Sequence, residues 1–255
     1  TSAITNAIVF WQFPYGIFSA SISTVLFPKM SRQIGVNDVE GLRNTIQYGI
    51  RYLSVLLIPS AIFLALFGKQ IIGVTIQRGL FTAENTNMTA SVLTAYSLGL
   101  LSSGVYNFLQ RYFYSEGNYR TPFIVTSFVA ILDIILSIWL KETRLGVTGL
   151  ALANTISFTA GLIFLLFLVR KKLGYIHGKK IIFTLIKIFI SMIPFIIFIL
   201  VIRTGQAGGW EEGSNFKNLL ILAGGFAGSC VLILGMYRVT KIEMLQDILS
   251  IGRKK

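Results

Sequence analysis

Seven stretches of this chain, near 3–27, 52–76, 88–110, 121–140, 146–169, 181–202 and 216–237, are apolar over roughly the 20 residues a helix needs to cross a bilayer. Hydrocarbon offers no water to satisfy backbone amides, so each stretch must close its own hydrogen bonds as a helix. The fold class that follows is all-α: a polytopic membrane helical bundle of about seven transmembrane helices. With a mean hydropathy of +0.71 and 13% charged residues in 255, the chain holds more apolar surface than a water-soluble core of that size could hide. Gly68, Lys69 and Gln70 interrupt the second stretch, and Ser102, Ser103, Gly104 and Asn107 dilute the third. Six spans with one re-entrant segment is therefore the competing count.

The net charge of +13 does not point to nucleic acid, because the basic residues lie between apolar runs and form no stripe with stacking aromatics. They alternate by side instead. Lys29, Arg32, Arg43, Arg51, Arg111, Arg120, Arg170 to Lys172, Lys179, Lys180, Arg238, Lys241 and Arg253 to Lys255 fall on one side; Lys69, Arg78, Lys141, Arg144, Arg203 and Lys217 fall on the other. The richer side is expected to face the cytoplasm. The carboxy terminus then lies inside and Thr1 outside, as an odd number of crossings requires.

Between the first two spans, Leu42, Ile46 and Ile50 repeat every four residues opposite Arg43, Asn44 and Gln47, which predicts a helix near 37–51 lying in the membrane interface. Asn37 and Glu40 are the expected start of that helix. The glycine- and acid-rich stretch 203–215 reads as an external loop anchored by Trp210, and the apolar start at Thr1 as a chain cut from something longer.

Motifs for enzymatic chemistry are missing: no phosphate-cradling loop, no histidine pair and no nucleophile elbow occur. No cofactor or metal site is expected. Cys230 reads as a small packing residue, and His177 as a surface residue without a partner carboxylate. Asp133 is the one acid near the centre of a span, where a lone carboxylate costs about 3 kcal/mol on insertion scales. It is either a proton or cation site or an inter-helix hydrogen bond. Lys187, two turns into the sixth span, either snorkels or meets an anionic lipid or substrate phosphate. Pro14, Pro59 and Pro194 each remove a helical hydrogen bond and predict kinks. Gly224, Gly225 and Gly228 admit close packing or leave a groove for an acyl chain.

Four passages are more specific: Gln12-Phe13-Pro14-Tyr15-Gly16-Ile17-Phe18 leading to Ser23-Thr24-Val25-Leu26-Phe27-Pro28; Gln77-Arg78-Gly79-Leu80-Phe81 with Thr86, Thr89 and Tyr96; Arg111-Tyr112-Phe113-Tyr114 through Arg120-Thr121-Pro122; and Gly146-Val147-Thr148-Gly149-Leu150-Ala151-Leu152-Ala153. In this order they resemble the MurJ (MviN) family, over most of residues 1–160. The resemblance implies the carboxy-terminal half of a lipid II flippase. Residues 1–170 would form the C-lobe helices of a MATE-like bundle, and 171–255 two additional helices with a cytoplasmic tail. It further implies alternating access in the bacterial cytoplasmic membrane, an undecaprenyl-pyrophosphate-linked precursor as substrate, contact with membrane lipids, and the missing amino-terminal half as partner. Gln12 and Pro14 would be cavity wall and hinge, Arg111 and Arg120 cytoplasmic contacts, Asp133 a coupling or cavity group, and Lys187 a headgroup contact. Two departures stand out. Ile8 and Val9 occupy the place of an acidic-Arg pair, and Asp133 that of an expected Asn. A cation-coupled antiporter or polysaccharide-lipid flippase of the same superfamily is the nearest alternative, and a non-transporting scaffold for cell-wall enzymes the third class.

Overall fold

A computed structural model describes residues 2–204 and 216–244, and each of the seven apolar stretches falls on helical elements. Of the expected loop 203–215, Arg203 and Thr204 instead close α8, and the rest with Trp210, like the tail beyond Met244, lies outside the described residues. The elements are α1 (Ser2–Pro14), a π-helical turn (Tyr15–Ser19), α2 (Ala20–Gly35), α3 (Val39–Thr75), α4 (Ala83–Leu98), α5 (Leu100–Ser115), α6 (Arg120–Lys141), α7 (Val147–Leu173), α8 (Gly178–Thr204) and α9 (Phe216–Val239). Among the described residues there is no strand.

Five of these helices, α3, α6, α7, α8 and α9, are by themselves long and apolar enough to cross a membrane, and α4 with α5, bent by 44°, makes a sixth. The first stretch is interrupted at Pro14, where its sequence predicts a kink. Pro14 ends α1, the chain widens into the π-turn, and neither α1 at 13 residues nor α2 at 16 reaches spanning length unbroken. Proline has no N–H for the i→i−4 ladder, and a wider turn is one way to continue past the break.

The segment near 37–51 differs from expectation. It is not a separate interfacial helix but the opening turns of the 37-residue α3, which at 1.5 Å per residue is about 55 Å long. Its cap is Asp38 rather than Asn37: Asn37 has φ of +55°, and the Asp38 carboxylate accepts from the Gly41 amide at 2.8 Å. The stripe Leu42, Ile46 and Ile50 is buried as its spacing predicts, yet Gln47 is buried too. One core cluster joins the first half of α3 to α2, α5 and α7 through Met30, Ile46, Leu53, Tyr112 and Leu165. A second joins its later half to α1, α4 and α8 through Ala7, Phe67, Ile72, Leu93, Phe195 and Ile199.

The bend between α4 and α5 sits at Gly99, where a Cβ would come within 2.7 Å of Thr155 Oγ1 and 3.2 Å of Thr155 Cα. The Thr155 hydroxyl donates to the Ala95 carbonyl at 2.8 Å, and Thr159 donates to Ser102 at 2.9 Å. Of the residues that dilute the third stretch, Ser102 thus faces α7, whereas Gly104 lies against Leu57 of α3 and Ser19 of the π-turn.

The basic links gather at one end of the bundle. Arg43 donates through Nε (2.8 Å) and Nη2 (2.6 Å) to the Leu173 carbonyl at the end of α7, an acceptor the helix itself leaves open. Lys172 pairs with Glu116, which also accepts from the Tyr112 hydroxyl. The reading of His177 as lacking a carboxylate partner is corrected here: its Nε2 lies 2.8 Å from Glu40 Oε1. Folding brings together residues 137 apart in sequence, which spacing alone does not reveal. The hydrogen bonds from His177 and then Arg43 hold the Glu40 carboxyl below the ordinary carboxylate range. A depressed folded-state value means the link is complete above the unfolded-state value and is lost as pH falls through the lowered one. Glu40→Gln is expected to remove that component, flattening the acid limb of a thermal-stability profile below about pH 5.

Candidate functional site

Two surfaces with opposite chemistry meet along α1 and the π-turn. The first is an apolar groove of about 440 Å³ between α1, the π-turn, α3, α8 and α9, walled by Phe10, Phe13, Pro14, Ile17, Pro59, Phe63, Phe195, Phe226, Cys230, Ile233 and Tyr237. Its size is within the range of small-molecule pockets, and its lining suits a hydrocarbon chain. Pro14 is buried in this wall, while Gln12 is exposed on the neighbouring face of α1. Cys230 is not the interior packing residue expected. It is exposed in the groove wall, because that side of α9 borders the open groove.

Of the three glycines singled out, none lines the groove. Gly228 fits against Phe198, whose ring carbon would lie 2.6 Å from an added Cβ, and Gly225 approaches Phe67 at 3.4 Å, whereas nothing lies within 4 Å at Gly224. Packing is what Gly225 and Gly228 do here; the groove is shaped by large side chains.

The second surface is polar and cationic. Arg111 is exposed on α5 within electrostatic reach of Tyr15 in the π-turn. Arg120, at the start of α6, borders a shallow cleft with Tyr114, Tyr119, Phe123 and Thr126. The Tyr114 and Tyr119 rings stack with centroids 5.9 Å apart. Among the described residues neither guanidinium has an ion-pair partner. Behind the cleft, Gln110 donates to the Tyr106 hydroxyl at 2.9 Å and to Thr126 at 2.8 Å, fixing α5 against α6.

Asp133 lies midway along α6, half-buried, with Asn154 of α7 as its side-chain hydrogen-bond partner. Its Oδ1 is shut off from solvent without a partner, as are the indole nitrogen of Trp11 and the hydroxyl of Ser157. Tyr96 is within electrostatic reach of Asp133 and 6.2 Å from Trp11, ring to ring. Trp11 in turn stacks on Tyr15 at 4.8 Å. A polar thread therefore runs from α7 through α6 and α4 to the π-turn. Unsatisfied polar atoms at this depth are costly, and sequence alone marked only the aspartate. Where the resemblance calls for a cation, Val9 stands 61% exposed.

Lys187 meets the protein itself. Its Nζ donates to the Lys241 carbonyl at 3.2 Å and sits 4.8 Å over the Phe183 ring, so it reaches the cationic end of the bundle along its own stem. The neighbouring Arg51, 8% exposed, donates to Thr184 and pairs with Glu243 at 2.8 Å. Sequence reasoning placed Arg51 with the surface cations and missed that it ties α3 to α8 and to the segment that follows α9. Gln47, one turn earlier and read as facing away from the apolar stripe, is buried with it, so the stripe's spacing gave no signal of this. Among the described residues no three acidic, histidine or cysteine side chains gather as a metal site would require.

The family model described as lipid II flippase MurJ matches residues 1–221. The chain is 33% identical to a probable lipid II flippase MurJ of Borreliella burgdorferi over 96% of its own length and 47% of the relative's. It is 31% identical to that of Thermotoga maritima, over 95% and 46%. A solved structure of a lipid II flippase MurJ in an inward closed conformation superposes with a TM-score of 0.73 at 25% identity, covering 97% of this chain and 48% of that one. The chain thus spans about half the length of the relatives it matches, and it belongs to the MurJ family.

Proposed function

We propose that this chain is the carboxy-terminal half of a carrier that moves an undecaprenyl-pyrophosphate-linked peptidoglycan precursor across the bacterial cytoplasmic membrane by alternating access. Its cationic end and the carboxy terminus face the cytoplasm. The observation that carries the reading is the junction at the π-turn. On one side Arg111, without an ion-pair partner among the described residues, lies within electrostatic reach of Tyr15; on the other, Phe13, Pro14 and Ile17 wall an apolar groove. A lipid with a charged headgroup needs both surfaces at once, since bare phosphates are excluded from hydrocarbon. Arg111 and Arg120 would meet the pyrophosphate, Gln12 the hydrated wall, and the groove a length of tail. Residues 1–170 would act as one lobe, facing the half absent from this chain, with the two following helices completing the groove.

The decisive experiment is genetic: the full-length gene should rescue bacteria depleted of their own lipid II flippase, and failure to do so ends the proposal. The tail site has its own check in Cys230. With other thiols of the full-length protein replaced, a membrane-permeant maleimide should label Cys230 in nanodiscs. Adding undecaprenyl phosphate should slow that labelling, and unchanged rates would remove the groove from the transport path.

A cation-coupled cycle is favoured by one feature, the unpartnered Oδ1 of Asp133. If that carboxylate couples ion movement to transport, Asp133→Asn abolishes rescue. If Asp133 serves only as a hydrogen-bond partner of Asn154, the amide largely preserves it.

A further inference from the structure

Pro59 is buried midway along α3. Without an N–H it cannot close the helical bond to the carbonyl four residues earlier, and its ring presses against that same group, which belongs to Val55. Membrane interiors supply no water to replace the missing donor. The structure supplies one from the other end of the chain: the phenol of Tyr237, on α9, donates to the Val55 carbonyl at 2.8 Å in a fully buried contact. Arg51, Val55 and Pro59 follow one another at four-residue spacing, so they lie along one stripe of α3. Glu243 pairs with the first of them and Tyr237 with the second. That stripe is where α9, through Tyr237, and the segment just after it, through Glu243, are fastened.

We infer that Tyr237 is a positioning residue for a hinge in α3: its hydroxyl stands in for the amide that Pro59 lacks and ties the opening of that hinge to the position of α9. When the phenol is seated, the proline break is satisfied and α3 is held as found here. When α9 moves away, the Val55 carbonyl loses its donor and the helix regains freedom to bend at residue 59. Val55, Pro59 and Tyr237 all line the groove, so whatever occupies it lies against this joint. The inference does not depend on the identity of the transported molecule.

The test is a double-mutant cycle in the full-length protein in nanodiscs: parent, Tyr237→Phe, Pro59→Ala, and both together. Phenylalanine keeps the ring and removes only the hydroxyl; alanine in place of the proline restores the helical donor to Val55. Amide exchange over Ser60 to Leu64 should quicken about tenfold in Tyr237→Phe, as expected for one lost buried hydrogen bond. It should change little when the same substitution is made in the Pro59→Ala background. Spin-label distances between positions 48 and 75 should broaden in the first case and stay narrow in the second. An equal effect in both backgrounds, which a purely space-filling tyrosine would give, overturns the inference, as does no effect in either. Should Tyr237→Phe fail to fold with the proline present yet fold once Pro59→Ala is added, the coupling is demonstrated by that difference; failure in both counts against it.

Discussion

Gly149→Ala is expected to lower the stability of the folded protein by roughly 3 kcal/mol, the upper part of the range for forcing a methyl into a packed interior. The added carbon would lie 2.6 Å from the Leu140 carbonyl oxygen and 2.9 Å from its carbon. Both are backbone atoms at the end of α6, so no side chain can swing aside, and the corner between α6 and α7 must open. The same change at Gly224, where nothing lies within 4 Å, should be neutral or gain about 0.5 kcal/mol from helix propensity. Thermal unfolding midpoints of the two variants in one detergent give the comparison, and equal midpoints would show that the corner tolerates what its geometry forbids.

Reversing charge at the cationic end should have the largest effect on transport. Arg111→Glu or Arg120→Glu places a carboxylate where the proposed path needs to attract a pyrophosphate. Like charges about 6 Å apart at an effective dielectric of about 20 repel by about 3 kcal/mol, roughly a hundredfold in occupancy. Neither arginine supports the fold through an ion pair among the described residues, so membrane levels should hold while rescue of flippase-depleted cells is lost. Lysine at either position should retain partial rescue. Full rescue by the glutamate variants would take these cations out of the path.

The helical stretches and the gathering of basic links were legible because both rest on composition along the chain: hydropathy over a span length, and charge on alternate connections. The stripe Leu42, Ile46 and Ile50 was legible for the same reason. What was hidden depends on partners distant in sequence. A four-residue period cannot say whether residues 37–51 stop before the second span or run into it, and here they run on. Glu40 and His177 meet only because α3 and α8 start side by side. Cys230 in an apolar run looks the same whether its neighbours close over it or leave a groove. The Gly99 bend left a trace in the small and polar residues of the third stretch, but its cause is the approach of Thr155 from another helix.

The π-turn after Pro14 has a consequence for how this region tolerates length changes. A wider turn is an α-helix with one residue too many, and each residue of an α-helix advances the side chains by about 100°. Residues before Tyr15 and after Ser19 are therefore out of phase with a straight helix drawn through both. Removing a single residue between them would restore an ordinary ladder yet swivel Gln12 and Phe13 by about a quarter-circle against Ser23 and Pro28. Aligned chains with a one-position gap there should carry compensating swaps of apolar and polar residues on one flank only.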